Sequence, residues 1–250
     1  MSFFKRNLLI VIACCVLFSS PVYAVTLKGE DKKIADTIMR RIKSSNARYD
    51  FIPLADPSKM DDASSIIAYV DEKCGKYYRI STCNYSREWI KDKWFDGFVI
   101  YTKNAKAIYN YNDMLVKKAK KIVKKYTRKK MSKKKKAKAL ARGVAKCLSY
   151  KCYNDDNLET SISNNLKKNK GACFTYAQLY QACCDLAKIR CEHVIGYADG
   201  GYHSWNRVKI GNKWKYVDVT WYDCTKKSKY ILNGKLWRSH RISYIVVVFD

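Results

Sequence analysis

The chain has 250 residues, a formal net charge of +28 and a hydrophobic fraction of 48%. This length suits one large domain or two small ones, and the apolar fraction excludes a disordered or low-complexity chain. The charge predicts attraction to anionic surfaces. A nucleic-acid partner is not favoured, because no zinc-finger, homeodomain or RNA-recognition signature accompanies the charge.

The first 24 residues have the pattern of a secretory signal peptide. A basic start at Lys5 and Arg6 precedes an apolar run from Leu8 to Phe18 and a small-residue end at Ala24. The pattern predicts cleavage after Ala24 and a secreted or extracytoplasmic protein. The alternative is an N-terminal membrane anchor, although the run is shorter than the roughly 20 residues that span a bilayer. Export would make anionic cell-wall polymers or membrane surfaces candidate partners.

Residues 25–111 are predicted to form an N-terminal α+β module of unknown role. Apolar residues at helical spacing predict a helix over about 30–42, and a second short helix is predicted over 61–71. Runs rich in Tyr, Ile and Val predict a small antiparallel sheet from residues 76–82, 97–102 and 107–112. No group of residues in this module suggests a chemical reaction.

Residues 112–148 predict two basic helices, the second capped by Ser132. Each helix has an apolar stripe, and many lysines lie between the stripes. The lysines could form a membrane-surface or nucleic-acid element. A solvated helix face is favoured, because each stripe is wide enough to pack on a core. The polar residues 149–170 predict turns and one short helix after Leu158.

Nine cysteines follow the predicted signal peptide, and their number is odd. In an exported chain this predicts one free thiol and up to four disulfides among the other eight cysteines. Cys74 could pair with Cys83, and Cys147 with Cys152. No cysteine lies in a CxxC pair, and no Cys/His spacing suggests zinc, so no metal or cofactor is predicted. The nine are Cys74, Cys83, Cys147, Cys152, Cys173, Cys183, Cys184, Cys191 and Cys224.

The run "GACFTYAQLYQAC" predicts a helix that begins around Cys173. A cysteine in the first turn of a helix meets exposed backbone N–H groups and the positive end of the helix dipole, and both favour thiolate over thiol. Cys173 is therefore a candidate nucleophile. The alternative is a buried structural cysteine, which is common.

The following run "HSWNRVKIGNKWKYVDVTW" predicts a β-hairpin with a two-residue turn at Gly211-Asn212. That turn pairs Ile210 with Lys213, and the second strand is predicted to continue past Asp218. Because side chains alternate along a strand, His203 and Asp218 then share one face as diagonal neighbours, about 7 Å apart at the backbone.

This placement allows an aspartate–histidine pair. Asp218 can accept the imidazole Nδ1–H of His203, which leaves the other ring nitrogen for a nucleophile. The alternative for His203 is a half-buried structural histidine. His193 and His240 have no comparable aspartate in the sequence and are predicted to be structural or surface residues.

The three runs "GACFTYAQLYQAC", "HSWNRV" and "WKYVDVTWYD" resemble the transglutaminase-like superfamily over roughly residues 132–237. The resemblance implies Cys173 as nucleophile, His203 as general base and acid, and Asp218 as the orienting carboxylate. The matching flanking residues are Trp205, Asn206, Trp221 and Asp223. Many bacterial relatives have Gln-Gly after the cysteine where this chain has Phe174-Thr175, so the resemblance does not imply a substrate. A papain-like protease fits less well, since its histidine follows about 130–150 residues after the cysteine.

We therefore expect an α+β protein whose residues 112–250 form a transglutaminase-like domain. The resemblance implies the papain-like superfold, with the cysteine helix packed on an antiparallel sheet. It also implies a thiol enzyme that transfers acyl groups from a peptide or a glutamine carboxamide, and the signal-peptide pattern predicts that this enzyme is exported. Hydrolysis, as a cysteine protease or deamidase, is favoured over cross-linking. The alternative is a catalytically inert exported binding protein whose basic surface docks on anionic cell wall or membrane, and a disulfide at Cys173 would favour this alternative.

Overall fold

The structure, a computed structural model, describes residues 26–45, 47, 49–76, 82–152 and 158–246. The predicted signal peptide lies outside these residues. Contacts divide the described chain into two compact units, one ending at Tyr109 and the other beginning at Asn110. No helix in the described part of the chain is long and apolar enough to cross a membrane.

The first unit combines two helices with a three-stranded antiparallel sheet of order β1-β3-β2. Both predicted helices are confirmed. Its elements are α1 (Gly29–Ser44), β1 (Asp50–Pro53), a 3-10 turn (Pro57–Lys59), α2 (Ala63–Gly75), β2 (Cys83–Ile90) and β3 (Lys93–Ile100).

Two aspartate side chains fix the start of α2. Asp62 caps the helix by accepting hydrogen bonds from the backbone N–H groups of Ser64 and Ser65. Asp31, in the first turn of α1, is buried and accepts from the backbone N–H groups of Asp61 and Asp62 at 2.9 and 3.2 Å. These bonds join the two helices where their apolar faces meet.

The predicted strand at 107–112 is wrong, because these residues belong to helix α3 (Thr102–Tyr126). Ile108, Tyr111 and Leu115 recur at helical spacing and are buried. Burial of that continuous stripe outweighs the β propensity of Tyr and Ile. The run at 97–102 is a strand only as far as Ile100. Most of the run at 76–82 lies outside the described residues.

The second unit contains a five-stranded antiparallel sheet of order β10-β6-β7-β8-β9. A short parallel pair, β4 with β5, places Tyr150 beside Gly171. Its elements after α3 are α4 (Lys133–Cys147), β4 (Ser149–Tyr150), α5 (Leu158–Lys167), β5 (Lys170–Gly171), α6 (Cys173–Leu186), β6 (Cys191–Ala198), β7 (Gly201–Ile210), β8 (Lys213–Val217), α7 (Val219–Thr225), a 3-10 turn (Ser228–Tyr230), β9 (Ile231–Asn233) and β10 (His240–Val246).

Helix α6 packs against strand β7 on one side and against α4 on another. The expected α+β class is therefore confirmed, with the cysteine helix on an antiparallel sheet. Both predicted basic helices are also present, and Ser132 caps α4 by accepting from the N–H of Lys135.

None of the nine cysteines beyond the predicted signal peptide, all of them in the described part of the chain, forms a disulfide. The suggested pairings of Cys74 with Cys83 and of Cys147 with Cys152 are not formed. Burial raises the pKa of the Cys74 thiol to about 12. Cys173 is half-buried and free, while Cys152 and Cys224 are exposed.

Candidate active site

Cys173 is the first residue of α6, as the sequence predicts. Its neighbour Ala172 is the N-cap residue and offers no capping side chain. A glycine must precede this turn, since a Cβ at Gly171 would lie 2.6 Å from the Cβ of Thr175. The Cys173 thiol therefore lies at the start of a helix where Gly171 packs closely against Thr175.

The predicted hairpin register is confirmed. Ile210 pairs with Lys213 across a turn in which Gly211 has a φ of +59°, a conformation that favours glycine. His203, near the start of β7, is opposite Gly196 of β6 and is buried. The turn therefore sets which residues of β7 meet those of β8.

The predicted strand around Asp218 is wrong, because β8 ends at Val217 and Asp218 is the N-cap of α7. Its Oδ1 accepts the backbone N–H of Trp221 at 2.9 Å. An aspartate followed by a helical turn satisfies orphan N–H groups, and this local gain outweighs the β propensity of the Val and Thr that follow.

Asp218 still reaches His203, but through the other ring nitrogen from the one predicted. Nε2 of His203 donates to Oδ2 of Asp218 at 2.8 Å. The prediction of an Nδ1 bond is wrong, since Asp218 lies beyond the end of β8 and approaches His203 from a helix cap instead of from the strand face. The Cys173 side chain also acts to raise the pKa of His203, and Nδ1 is the ring nitrogen that is not bonded to Asp218. The structure thus brings together Cys173, His203 and Asp218.

The electrostatics of this group favour an ion pair between the His203 imidazolium and the Asp218 carboxylate. Burial acts to lower the pKa of His203, but the hydrogen bonds and charges of Asp218 and Cys173 outweigh it and raise the pKa to about 9. Burial acts to raise the pKa of Asp218, yet the hydrogen bonds from His203, His240 and the Trp221 N–H outweigh it and lower the pKa. Asp218 is therefore an ionised, fully buried acceptor.

His240 is a part of this site that the sequence did not predict. Its Nε2 lies 3.0 Å from Oδ2 of Asp218, so the expectation that it lacks an aspartate is wrong. His240 opens β10, and the pairing of β10 with β6 brings it there from the end of the chain. No spacing in the sequence signals that contact. His193 is buried against Phe174, with ring centroids 5.0 Å apart, and burial lowers its pKa to about 3.

Residues 120–219 match the family model of the transglutaminase-like superfamily. This segment is similar to that superfamily. It contains the thiol, the imidazole and the carboxylate described above, so the matched residues and the assembled group coincide. His240 lies outside the matched segment. We call residues 120–219 the transglutaminase-like core.

Two curated relatives match a shorter stretch of the chain. Kyphoscoliosis peptidase of Homo sapiens is 37% identical over 68 residues, which is 22% of this chain and 10% of that protein. The Mus musculus protein of the same name is 35% identical over 68 residues, with the same coverage. The chain thus spans about a tenth of the length of these relatives. A solved structure described as a TGase has a TM-score of 0.38 and 16% identity, covering 66% of this chain and 56% of that one.

Trp205 and Trp221 flank His203 and His240. The Trp205 ring stacks on His203 at 5.8 Å between centroids and meets His240 edge-on at 5.0 Å. Trp221 lies 6.0 Å from His203 and 4.7 Å from His240. The His203–Asp218 pair is buried beside these indoles, and burial strengthens its hydrogen bonds.

Asn206 and Asp223, the other predicted supporting residues, tie α6 to its neighbours. The amide nitrogen of Asn206 donates to the backbone oxygen of Ala177 in α6 at 3.1 Å. Asp223 accepts the Tyr176 hydroxyl at 2.7 Å, which joins α7 to α6. These contacts hold the helix that begins at Cys173 against the elements that position His203 and Asp218.

The ligand-type atoms of His203, Asp218 and His240 lie within 4.8 Å of one another, a grouping with donor types that bind zinc. In this structure the same atoms are joined by hydrogen bonds of 2.8 and 3.0 Å. A metal would require both Nε2 atoms to be deprotonated, which removes these bonds. The geometry therefore fits a proton-bonded network.

Proposed function

We propose that this protein is a thiol enzyme that transfers acyl groups from a peptide or a glutamine carboxamide. The supporting observation is the buried hydrogen bond of His203 to Asp218 beside the free thiol of Cys173. Nucleophile, base and orienting group in this order are what covalent catalysis on a carbonyl requires. The free thiol of Cys173 argues against an inert protein in which a disulfide blocks this residue.

The reaction has two halves. In the first, the Cys173 thiolate attacks the carbonyl carbon, and His203 gives its Nδ1 proton to the departing nitrogen as the C–N bond breaks. A thioester forms, and ammonia or an amine leaves. In the second, His203 takes a proton from water as the water attacks the thioester. The acid is released and the thiolate returns.

Asp218 and the start of α6 support these steps. Asp218 keeps the His203 ring oriented and stabilises the imidazolium, without itself taking a proton. The backbone N–H of Cys173 is our candidate donor to the oxyanion that forms on the attacked carbonyl. The close packing of Gly171 against Thr175 fixes the start of α6, and with it the position of this N–H relative to the thiol.

Hydrolysis is favoured over cross-linking in this proposal. The curated relatives are named peptidases, and water is then the acceptor of the acyl group. If a lysine amine were the acceptor, the product would be an isopeptide bond. Incubating the protein with glutamine-containing peptides and a labelled amine separates the three outcomes, which are new peptide termini for a protease, ammonia release without amine incorporation for a deamidase, and amine incorporation with ammonia release for a cross-linking enzyme. Cys173→Ala should abolish whichever product forms. Product that persists in Cys173→Ala would refute the proposal.

We also propose an exported location and an anionic docking partner for the basic surface. Residues 124–138 hold ten Lys or Arg and no Asp or Glu. Four of the lysines, Lys133–Lys136, occupy the first turn of α4, where cations oppose the helix dipole. A cell-wall polymer or a membrane surface rich in anions would offset this repulsion. Sedimentation with anionic polymer that weakens as salt rises would support the docking, and binding insensitive to salt would refute it.

A further inference from the structure

One carboxylate oxygen in the active site accepts two hydrogen bonds. Oδ2 of Asp218 lies 2.8 Å from Nε2 of His203 and 3.0 Å from Nε2 of His240. The side chain of His240 is completely buried, as is that of Asp218. A second buried imidazole on the orienting carboxylate is more than a reaction that uses one histidine needs.

The tautomer of His240 follows from its partners. An ionised carboxylate only accepts hydrogen bonds, so Nε2 of His240 carries the hydrogen in that contact. Nδ1 of His240 lies 2.9 Å from Oγ of Ser239. With Nε2 as donor, a neutral ring accepts the Ser239 hydroxyl at Nδ1. Hydrogen bonds therefore run in one line from Ser239 through His240 and Asp218 to His203.

Aromatic rings fix the His240 ring in this line. The ring lies 4.7 Å from both Trp221 and Trp237 and 5.0 Å from Trp205, between centroids. Such a cage leaves little room for the imidazole to flip. His240 is thus a donor with a fixed direction, aimed at one oxygen of the carboxylate.

We propose that His240 is a positioning residue that acts on His203 through Asp218. The Trp221 N–H holds Oδ1 of Asp218, and His240 holds Oδ2, so the plane of the carboxylate is set without His203. The His203 ring then aligns with an acceptor that is already in place. Without His240, the bond from Trp221 and the bond from His203 itself hold the carboxylate, and the carboxylate can rotate together with the His203 ring. The inference rests on the proposed function, since it assigns a role in orienting its general base.

Two substitutions separate orientation from packing. His240→Gln keeps an N–H donor near the position of Nε2 but removes the aromatic ring. His240→Phe keeps the ring but removes the donor. If His240 only fills space among the indoles, Phe should be tolerated better than Gln. If it positions Asp218, Gln should be tolerated better than Phe.

The measurement is the alkylation rate of Cys173 by iodoacetamide near neutral pH, resolved by peptide mass spectrometry. Site resolution is needed because Cys152 and Cys224 are exposed thiols. We expect His240→Phe to slow Cys173 by about 10-fold to 100-fold, the range for losing a hydrogen bond to a charged group, and Gln to recover much of the rate. Equal rates in the two variants, or a faster Phe variant, would overturn the inference.

Ser239 supplies a second comparison that leaves every ring in place. Ser239→Ala removes the hydroxyl that fixes the His240 tautomer and should slow Cys173 severalfold, while Ser239→Thr should not. If His240→Phe fails to fold, this pair decides, and equal rates for Ala and Thr overturn the inference. His203→Ala tests the proposed function separately. If His203→Ala leaves the rate unchanged, the proposed function fails, whereas a slow His203→Ala with the reversed order at 240 refutes only the role of His240.

Discussion

Replacing Asp218 by Asn should change the pH range in which Cys173 reacts. The amide has the shape of the carboxylate, and its oxygen can still accept the Trp221 N–H. The NH2 group, however, now faces Nε2–H of both His203 and His240, where the carboxylate oxygen accepted hydrogen bonds of 2.8 and 3.0 Å. The buried negative charge is also lost.

The magnitude follows from the pKa of His203. It is raised from 6.5 to about 9 against the opposing effect of burial, which corresponds to about 3 kcal/mol of preference for the imidazolium. Without the Asp218 charge, burial should bring the pKa to 6.5 or below. At pH 7.5 the charged fraction of His203 would then fall from nearly all to about one tenth or less. The unpaired ring N–H groups should also lower the free energy of unfolding by about 1–3 kcal/mol.

The assay is site-resolved alkylation of Cys173 across the pH range. Because the pKa of His203 is raised to about 9, its imidazolium is present below about pH 9 and is lost above it. Asp218→Asn should therefore slow Cys173 about tenfold or more near pH 7.5, and the difference should vanish near pH 10. Asp199→Asn is the matched control, since Asp199 is exposed and its φ of +47° suits Asn. A wild-type rate near pH 7.5 in Asp218→Asn would refute the reasoning.

Three further predictions concern the scaffold. Gly171→Ala would place a Cβ 2.6 Å from Thr175, so it should displace the start of α6 and slow the nucleophile about tenfold, measured by the same alkylation. Gly196→Ala would place a Cβ 2.0 Å from the backbone oxygen of Arg241; it should push β10 away and cost about 1–3 kcal/mol in urea unfolding, and an unchanged midpoint would contradict this. Burial raises the pKa of Asp71 to about 6, so the folded state keeps a proton that the unfolded state releases. Stability of the first unit should therefore fall as pH rises from about 4 to about 6. Hydrogen exchange in α2 should follow that change, and Asp71→Asn should abolish it.

Local patterns in the sequence predicted much of the active site. Helical spacing placed Cys173 at the start of a helix, and the two-residue turn at Gly211 fixed the register of β7 against β8. Both depend on residues near in sequence. These rules brought His203 and Asp218 together even though the predicted strand past Val217 does not exist. The aspartate reaches the histidine from a helix cap instead of from a strand.

The remaining features depend on contacts between distant parts of the chain. His240 joins the site because β10 pairs with β6, and no local pattern sets that pairing. The choice of Nε2 over Nδ1 in His203 depends on where Asp218 lies after β8 has ended. The predicted strand at 107–112 was wrong for a related reason. Its residues continue an apolar stripe, and the burial of that stripe stabilises a helix only when the helix packs on the rest of the protein.

Acylation of Cys173 by an activated ester tests the central claim most directly. Peptide mapping after brief exposure to p-nitrophenyl acetate would locate the acyl group. The solvent water or an added amine would then remove the acyl group from the thioester. The account predicts a thioester on Cys173 that forms much faster in the wild type than in His203→Ala. Acylation of Cys173 at the rate of the exposed Cys152 and Cys224, unchanged in His203→Ala, would contradict it.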